Sequence, residues 1–229
     1  MKKNLVRFCR LFLGLFLVAL GVVMTIRSNL GLAPWDVFHE GLSKITNMTM
    51  GQASITVGIV LVVINAVFGQ RIGWGTLCNM FFVGIFIDIL LVNELVPTFD
   101  SVALSVLMML SGMFVFGFAS YFYIGAGLGS GPRDGVMIYL TTKTKKSVSF
   151  IRNTIEITVL IIGYFLGGTV GIGTVITAVG IGYFVQLAFT IMKFDLGTVK
   201  HRYIDEDLVL LKNLVIKPKE QENVDQSIL

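Results

Sequence analysis

The residues best suited to chemistry are two aspartates, Asp36 and Asp134, which stand in the same local pattern 98 positions apart. Each acid lies two residues after a proline and five after a glycine. In an apolar chain such a pair could bind a cation or an amine, or exchange a proton. The alternative is helix capping, since an acid in the first turn stabilises a helix by about 0.3–1 kcal/mol. The two interpretations are compatible, because the start of a half-helix is itself a ligand site.

Asp88 is a third candidate because it lies inside an apolar segment, where a carboxylate costs on the order of 2.5–3.5 kcal/mol. The alternative is that Asp88 lies near the outer end of that segment and is hydrated. Thr76 and Thr174 end equivalent Gly-x-Gly-Thr turns, and either contact a solute or hydrogen-bond between helices. The predicted substrate-binding set comprises Pro34, Trp35, Asp36, Thr76, Asp88, Pro132, Arg133, Asp134 and Thr174.

The chain lacks the motifs of common catalytic classes. It contains no Gly-x-Ser-x-Gly, no His-Glu-x-x-His, no Gly-x-x-x-x-Gly-Lys-Ser/Thr and only two histidines. His39 and Glu40 beside Asp36 do not indicate a metal site, because adjacent residues point to different faces of a helix. We therefore expect no enzyme activity, no cofactor and no bound metal.

The composition indicates a polytopic membrane protein. Hydrophobic residues make up 55% of the chain and charged residues only 14%, whereas a soluble domain is about a quarter charged. Val102–Leu128 and Val170–Met192 are uncharged runs of 27 and 23 residues, and about 20 apolar residues cross a bilayer core. The basic residues flank the apolar runs, where they act as topology signals, so the net charge of +4 does not indicate nucleic-acid binding.

The hydrophobic pattern predicts six transmembrane helices, and one short helix too polar and too short to cross follows the first span of each half. The first short helix is predicted over Pro34–Thr46 and the second over Arg133–Thr142. A polar tail begins at Lys193, with an amphipathic helix predicted over Ile204–Val215 and disorder over Lys217–Leu229. The predicted spans are Leu11–Ile26, Thr49–Gly69, Ile72–Val92, Val102–Leu128, Ser147–Leu166 and Val170–Met192.

An internal repeat organises these elements. Residues 11–91 and 109–189 align without a gap and share 18 identities, which are rich in glycine, proline, aspartate and threonine. Three spans per repeat is an odd number, so the prediction is an all-α membrane protein of two inverted three-helix repeats, each with a broken or re-entrant helix. Residues 1–192 form one membrane domain, with repeats of about 11–92 and 109–190, and 193–229 form a tail. The basic loops place both termini in the cytoplasm.

At these residues the chain resembles the YczE/YitT-like family of bacterial integral membrane proteins. The resemblance covers roughly residues 5–192 and rests on two segments. One is Leu-Gly-x-x-Pro-Trp-Asp ending at Asp36, followed by Gly41-Leu42, and the other is Gly73-x-Gly75-Thr76 leading to Gly84 and Asp88. The second repeat departs from this pattern, with Arg133 in place of tryptophan and Gln186 in place of aspartate. The resemblance implies a bacterial cytoplasmic (inner) membrane protein of about six helices, often labelled a permease.

Three functions fit the pattern. The first is a secondary transporter or permease for a small solute or ion, with its site where the two repeats meet and with ion or proton coupling through the aspartates. The second is a membrane scaffold or regulatory protein that acts on a partner through the Lys143–Lys146 loop and the tail. The third is a channel-like pore. The expected partners are the lipid bilayer and a small molecule or ion. A homodimer is one possible assembly, and no nucleic-acid partner is expected.

Overall fold

The computed structural model describes residues 2–195, 198–207 and 209, and this part of the chain contains eight α-helices of at least 13 residues and no strand. The predicted disordered segment, Lys217–Leu229, and most of the predicted helix over Ile204–Val215 lie outside the described residues, although Ile204–Asp207 is helical. The helices are α1 (Lys2–Arg27), α2 (Pro34–Thr46), α3 (Met50–Val67), α4 (Trp74–Val92), α5 (Val102–Gly125), α6 (Pro132–Thr144), α7 (Val148–Phe165) and α8 (Ile172–Ile191).

Six of these helices, α1, α3, α4, α5, α7 and α8, are long and apolar enough to cross a bilayer. The chain is therefore an all-helical, multi-pass membrane protein. Helix α1 begins nearer the amino end than the predicted start at Leu11, because Arg7 and Arg10 are accommodated in its first turns. The other two helices, α2 and α6, have only 13 residues each, and both begin at a proline, whose missing N–H costs nothing there.

The helix boundaries repeat along the chain. Helices α2 and α3 become α6 and α7 when 98 is added to their first and last residue numbers, and α1 and α5 end at equivalent residues. The backbone repeats as well: Gly31 has φ 115° and its equivalent Gly129 has φ 113°. Each glycine lies in the non-helical segment before a short helix, residues 28–33 or 126–131, which we call a break. The duplication seen in the sequence therefore extends to individual backbone angles.

Helices α1 and α5 pack against each other at the centre of the molecule. Helix α1 presents a fully buried stripe of Leu11, Leu15, Ala19 and Val23, which recurs every fourth residue as expected for a helix face. The two backbones approach closely at a pair of glycines. A Cβ atom on Gly21 would lie 2.7 Å from the Gly112 carbonyl oxygen, and one on Gly112 would lie 2.8 Å from the Gly21 oxygen.

The remaining contacts lie partly within each half of the chain and partly between the two halves. Helix α4 packs on α1 and α8 packs on α5, whereas α2 packs on α7 and α6 packs on α3. Each break is also held by a hydrogen bond from the other half of the chain. The Gly75 N–H donates to the Leu128 carbonyl at 2.6 Å, and the equivalent Gly173 N–H donates to the Leu30 carbonyl at 2.7 Å. Each break is thus held by the turn that precedes the last helix of the other half.

One departure from this duplication is large. Helix α3 packs closely against α4, but the equivalent helices α7 and α8 make no comparable contact. Much of both α7 and α8 is exposed, including large apolar side chains such as Phe165 and Tyr183. The second half of the protein is therefore more open than the first on the side of its last two helices.

Candidate functional site

The starts of α2 and α6 meet through a cation–π contact. The guanidinium carbon of Arg133 lies 4.4 Å from the centre of the Trp35 ring. Trp35 is the second residue of α2 and Arg133 the second residue of α6, so they are equivalent positions in the duplicated pattern. Two equivalent residues can contact each other only where the two halves of the chain meet, so this pair marks the junction between the halves.

Asp36 and His39 lie beside this contact in the interior. They are 5% and 1% exposed, and a carboxylate oxygen of Asp36 lies 3.5 Å from Nδ1 of His39. On its other side, Nε2 of His39 lies 3.5 Å from a terminal nitrogen of Arg133. Burial lowers the pKa of His39 below its ordinary value, although the neighbouring Asp36 opposes the shift. The imidazole therefore lies between the carboxylate and the guanidinium, and its lowered pKa favours the neutral form.

Arg133 differs from these two neighbours because the residue as a whole is exposed, although the surrounding protein desolvates its guanidinium and lowers its pKa. Its guanidinium stacks on an indole, and its only described hydrogen-bond neighbour is His39, which leaves most of its five N–H donors open among the described residues. An accessible guanidinium beside a buried carboxylate and imidazole is suited to contact an incoming solute. We call Trp35, Asp36, His39 and Arg133 the junction cluster.

Asp134 lies on the same turn of α6 as Arg133 but makes a capping contact. Its carboxylate accepts the Gly131 N–H at 3.1 Å, so it stabilises the start of its own helix. Burial raises the pKa of Asp134 above its ordinary value, and the nearby Arg133 and Arg152 oppose this rise. Asp134 thus caps its own helix and also lies near two arginine side chains.

Two further polar side chains surround the first turn of α6. Asn65 is 3% exposed, and its amide nitrogen donates to the Pro132 carbonyl at 2.7 Å. Its side-chain oxygen has no hydrogen-bond partner, and the same is true of the Tyr123 hydroxyl, on a residue that is 7% exposed. Unpaired buried polar atoms are costly, so the surroundings of α6 retain hydrogen-bonding capacity that the described chain does not use.

The charges near the junction do not balance. Arg133 interacts electrostatically with Asp36, Asp134 and Glu156. Glu156 has its own partner, because Arg152 Nε lies 3.1 Å from its carboxylate, and residues four apart share one face of a helix. Two carboxylates therefore share one guanidinium when His39 is neutral.

The other three predicted site residues make structural bonds. Asp88 accepts the Thr49 hydroxyl at 2.5 Å and the Gly51 N–H at 2.7 Å, so it holds the start of α3. Thr76 accepts the Gly73 N–H at 3.3 Å and donates to the Ser130 carbonyl at 2.6 Å. Thr174 accepts the Gly171 N–H at 3.1 Å.

The structure thus brings Trp35, Asp36, Arg133 and Asp134 together with Pro34 and Pro132, whereas Thr76 and Thr174 contact the breaks before α6 and α2, and Asp88 contacts the start of α3. A solute-binding role for those three stays a prediction. Sequence reasoning missed His39 as a site residue, although its spacing of three from Asp36 on a helix places both on one face. It also missed Asn65 and Tyr123, for which no local pattern gives a signal.

Comparisons with known proteins agree with the membrane assignment. A family model described as a family of unknown function, DUF6198, matches residues 5–190. The chain is 36% identical to the uncharacterized membrane protein YczE of Bacillus subtilis over 193 residues, which is 82% of this chain and 88% of that protein. It is 31% identical to an uncharacterized protein of Haemophilus influenzae over 182 residues, 80% of this chain and 83% of that protein. No solved structure matches the chain.

Proposed function

The chain belongs to the membrane protein family of unknown function DUF6198, and we propose that it is a small secondary transporter whose solute binds at the junction cluster. The observation that carries this proposal is the accessible Arg133 guanidinium, stacked on Trp35 beside the buried Asp36 and His39. Charged groups inside a membrane protein are expensive and mark solute or ion pathways. A purely structural junction would be better stabilised by apolar residues.

The proposed architecture is a pair of inverted repeats. Each half contains three spans and a 13-residue helix, α2 or α6, which we propose enters the membrane and returns. Two half-helices whose starts meet near the centre are a recurring arrangement in secondary transporters, because the positive helix ends and freed backbone groups can hold a solute. The hydrogen bonds from Gly75 to Leu128 and from Gly173 to Leu30 support this arrangement, since through them each half holds the segment that leads into the other half's short helix. When both termini lie on the cytoplasmic side of a bacterial inner membrane, every basic loop faces the cytoplasm.

We propose that a proton accompanies the solute. Asp36 of the cluster and the neighbouring Asp134 together carry one more negative charge than Arg133 balances when His39 is neutral, and an unbalanced negative charge in a membrane favours uptake of a proton or another cation. Asp36 and His39 are 3.5 Å apart, so a proton can be shared between them, and His39 connects them to the accessible Arg133. Solute binding at Arg133 would then change the proton affinity of this pair, which couples the two events.

Transport accounts for this arrangement better than catalysis does. The junction cluster offers a cation, an acid and a base, but no nucleophile such as serine or cysteine lies in it. Cys9 and Cys78 lie on α1 and α4, away from the starts of α2 and α6. We therefore propose that the protein is not an enzyme.

The test is solute binding followed by proton flux. Purified protein would be screened by thermal unfolding against amines, amino acids and small carboxylic acids at two pH values. A compound at a hundred times its dissociation constant stabilises by about 2.7 kcal/mol. Compounds that shift the melting temperature would then be added to proteoliposomes containing a pH-sensitive dye. We expect a solute-dependent pH change that is lost in Asp36→Asn and Arg133→Gln.

The matched control is Asp100→Asn, which removes an exposed carboxylate from the loop before α5. This variant should bind and transport as the parent does. Binding that survives both junction variants would place the site elsewhere. Absence of any binding together with co-purification of a partner protein would favour the scaffold function instead.

A further inference from the structure

A separate cavity of about 190 Å³ is lined by none of the residues of the junction cluster. It is formed where the start of α1, the start of α4 and the break after α5 meet the C-terminal segment, which we define as residues 198–207. It is partly open, and most of the surface area of its walls is apolar because the arginine stems contribute carbon atoms as well. The residues that line it are Arg7, Phe8, Trp74, Leu128, Arg202 and Asp207.

Two guanidinium groups and one carboxylate provide the charge in this cavity. Asp207 is already engaged, because it forms an ion pair with Arg202 and accepts the Trp74 indole N–H at 3.0 Å. Arg7 is exposed and makes no hydrogen bond or ion pair with the described part of the chain. The cavity therefore has a net charge of +1, and its positive charge is available on the Arg7 side.

The position of the cavity fits the boundary between the bilayer and water. Both α1 and α4 are long apolar helices, and the cavity lies at their first turns. Trp74 opens α4 and is 43% exposed, and Phe8 is 42% exposed on the first turns of α1. Exposed tryptophan at a helix end is typical of the interface, where the ring contacts acyl chains and the N–H contacts polar groups.

We propose that this cavity binds the headgroup phosphate of an anionic phospholipid. The open guanidinium of Arg7 donates to the phosphate, which is the geometry that arginine forms with phosphate oxygens. Arg202 adds a second positive charge from the C-terminal segment. The acyl chains continue over Phe8 and the exposed apolar surface of α1. The apolar lining favours a lipid over free inorganic phosphate, because free phosphate would leave that lining in contact with water.

This site would connect the C-terminal segment to the membrane. The segment is already fixed to the break after α5, because the Arg202 N–H donates to the Gly127 carbonyl at 2.9 Å and His201 Nδ1 accepts the Gly129 N–H at 3.3 Å. A phosphate bound to both Arg7 and Arg202 would join that segment to α1 as well. The C-terminal segment would then dissociate less readily from the membrane domain when anionic lipid is present.

The test measures thermal unfolding of the full chain in detergent with added phosphatidylglycerol, phosphatidylcholine or inorganic phosphate. We expect stabilisation by phosphatidylglycerol, little by phosphatidylcholine, and none by inorganic phosphate at the same concentration. Arg7→Gln should weaken the apparent affinity for phosphatidylglycerol about tenfold, the value for one charge-assisted hydrogen bond. Arg7→Lys should retain most of it because the charge remains.

The control is Lys143→Gln, which removes one exposed positive charge from the end of α6, outside the cavity. It should leave the lipid affinity unchanged. Equal losses in Arg7→Gln and Lys143→Gln would show general charge attraction and overturn the site. Equal stabilisation by inorganic phosphate would replace the lipid by a free anion. Neither result depends on solute transport, so this inference and the proposed function fail independently.

Discussion

Gly31 offers the most direct test of the contact between a break and the other half of the chain. It has φ 115°, a backbone conformation that residues with a side chain rarely adopt. A Cβ atom at this position would also lie 2.6 Å from the Gly171 nitrogen and 2.8 Å from the Thr174 hydroxyl oxygen. Gly31→Ala therefore adds backbone strain and steric overlap at the contact that holds the two halves together.

The structure allows the two effects to be separated. Unfavourable φ costs about 1–3 kcal/mol and overpacking about 1–3 kcal/mol, so Gly31→Ala should lower the free energy of unfolding by about 2–6 kcal/mol. Gly167→Ala tests strain alone, since φ is 91° and the nearest atom is 4.0 Å away. Gly73→Ala tests overlap alone, because φ is an ordinary −103° but the new Cβ overlaps the Leu128 oxygen. Gly182→Ala has open space in a helix and should stabilise by up to about 1 kcal/mol.

The assay is unfolding of the four purified variants in mixed micelles of increasing denaturing detergent, followed by tryptophan fluorescence. The expected order of stability is Gly182→Ala, parent, the two single-effect variants, and Gly31→Ala last. If Gly31→Ala and Gly182→Ala were equally stable, this contact would not be formed in the membrane, and the proposed inverted arrangement would lose its support. If Gly167→Ala alone matched Gly31→Ala, strain would account for the effect without the contact between halves.

Three further outcomes follow from other contacts. Asp88→Asn should lower the free energy of unfolding by about 1–3 kcal/mol, because the acid accepts two hydrogen bonds at the start of α3, and Asp100→Asn should not. Arg133→Lys, which keeps the charge but loses the planar stacking, should cost about 0.5–2 kcal/mol in the same assay, and an unchanged value would refute the stacking. Burial lowers the pKa of His201, and its neutral form accepts the Gly129 N–H. This bond therefore stabilises the attachment of the C-terminal segment fully above pH 6.5, and the contribution is lost as the pH falls through the lowered pKa. Protease cleavage of the C-terminal segment should therefore accelerate at acidic pH in the parent and be independent of pH in His201→Gln.

Local signals account for what the sequence predicted. The short helix over Pro34–Thr46 has the predicted bounds, because its proline start and following polar turn are encoded in adjacent residues. The six long apolar runs became six helices for a similar reason, since bilayer thickness fixes their length. The spacing of the duplicated motif predicted the equivalence of α2 with α6.

Contacts between distant residues account for what was missed. Asp88 appeared to be a lone intramembrane acid, but the hydroxyl of Thr49, the residue just before α3 and 39 positions earlier in the chain, donates to it. Asn65 and Tyr123 became site neighbours only because α3 and α5 both pack near the start of α6. No periodicity in either helix distinguishes these residues from ordinary polar groups in a membrane span.

The difference between Trp35 and Arg133 has the same origin. In the sequence, the difference between these two residues suggests that the repeated motif has diverged at random, while the adjacent Asp36 and Asp134 remain identical. In the structure the two differing residues contact each other, so a strict repeat would place either two arginines or two tryptophans face to face. Two guanidinium groups at this distance would repel each other, whereas one guanidinium stacked on one indole gains the attraction of a cation for an aromatic face. Residues that meet their own equivalents are thus the positions where a duplicated chain has most to gain from divergence, and the divergence itself indicates where the two halves join.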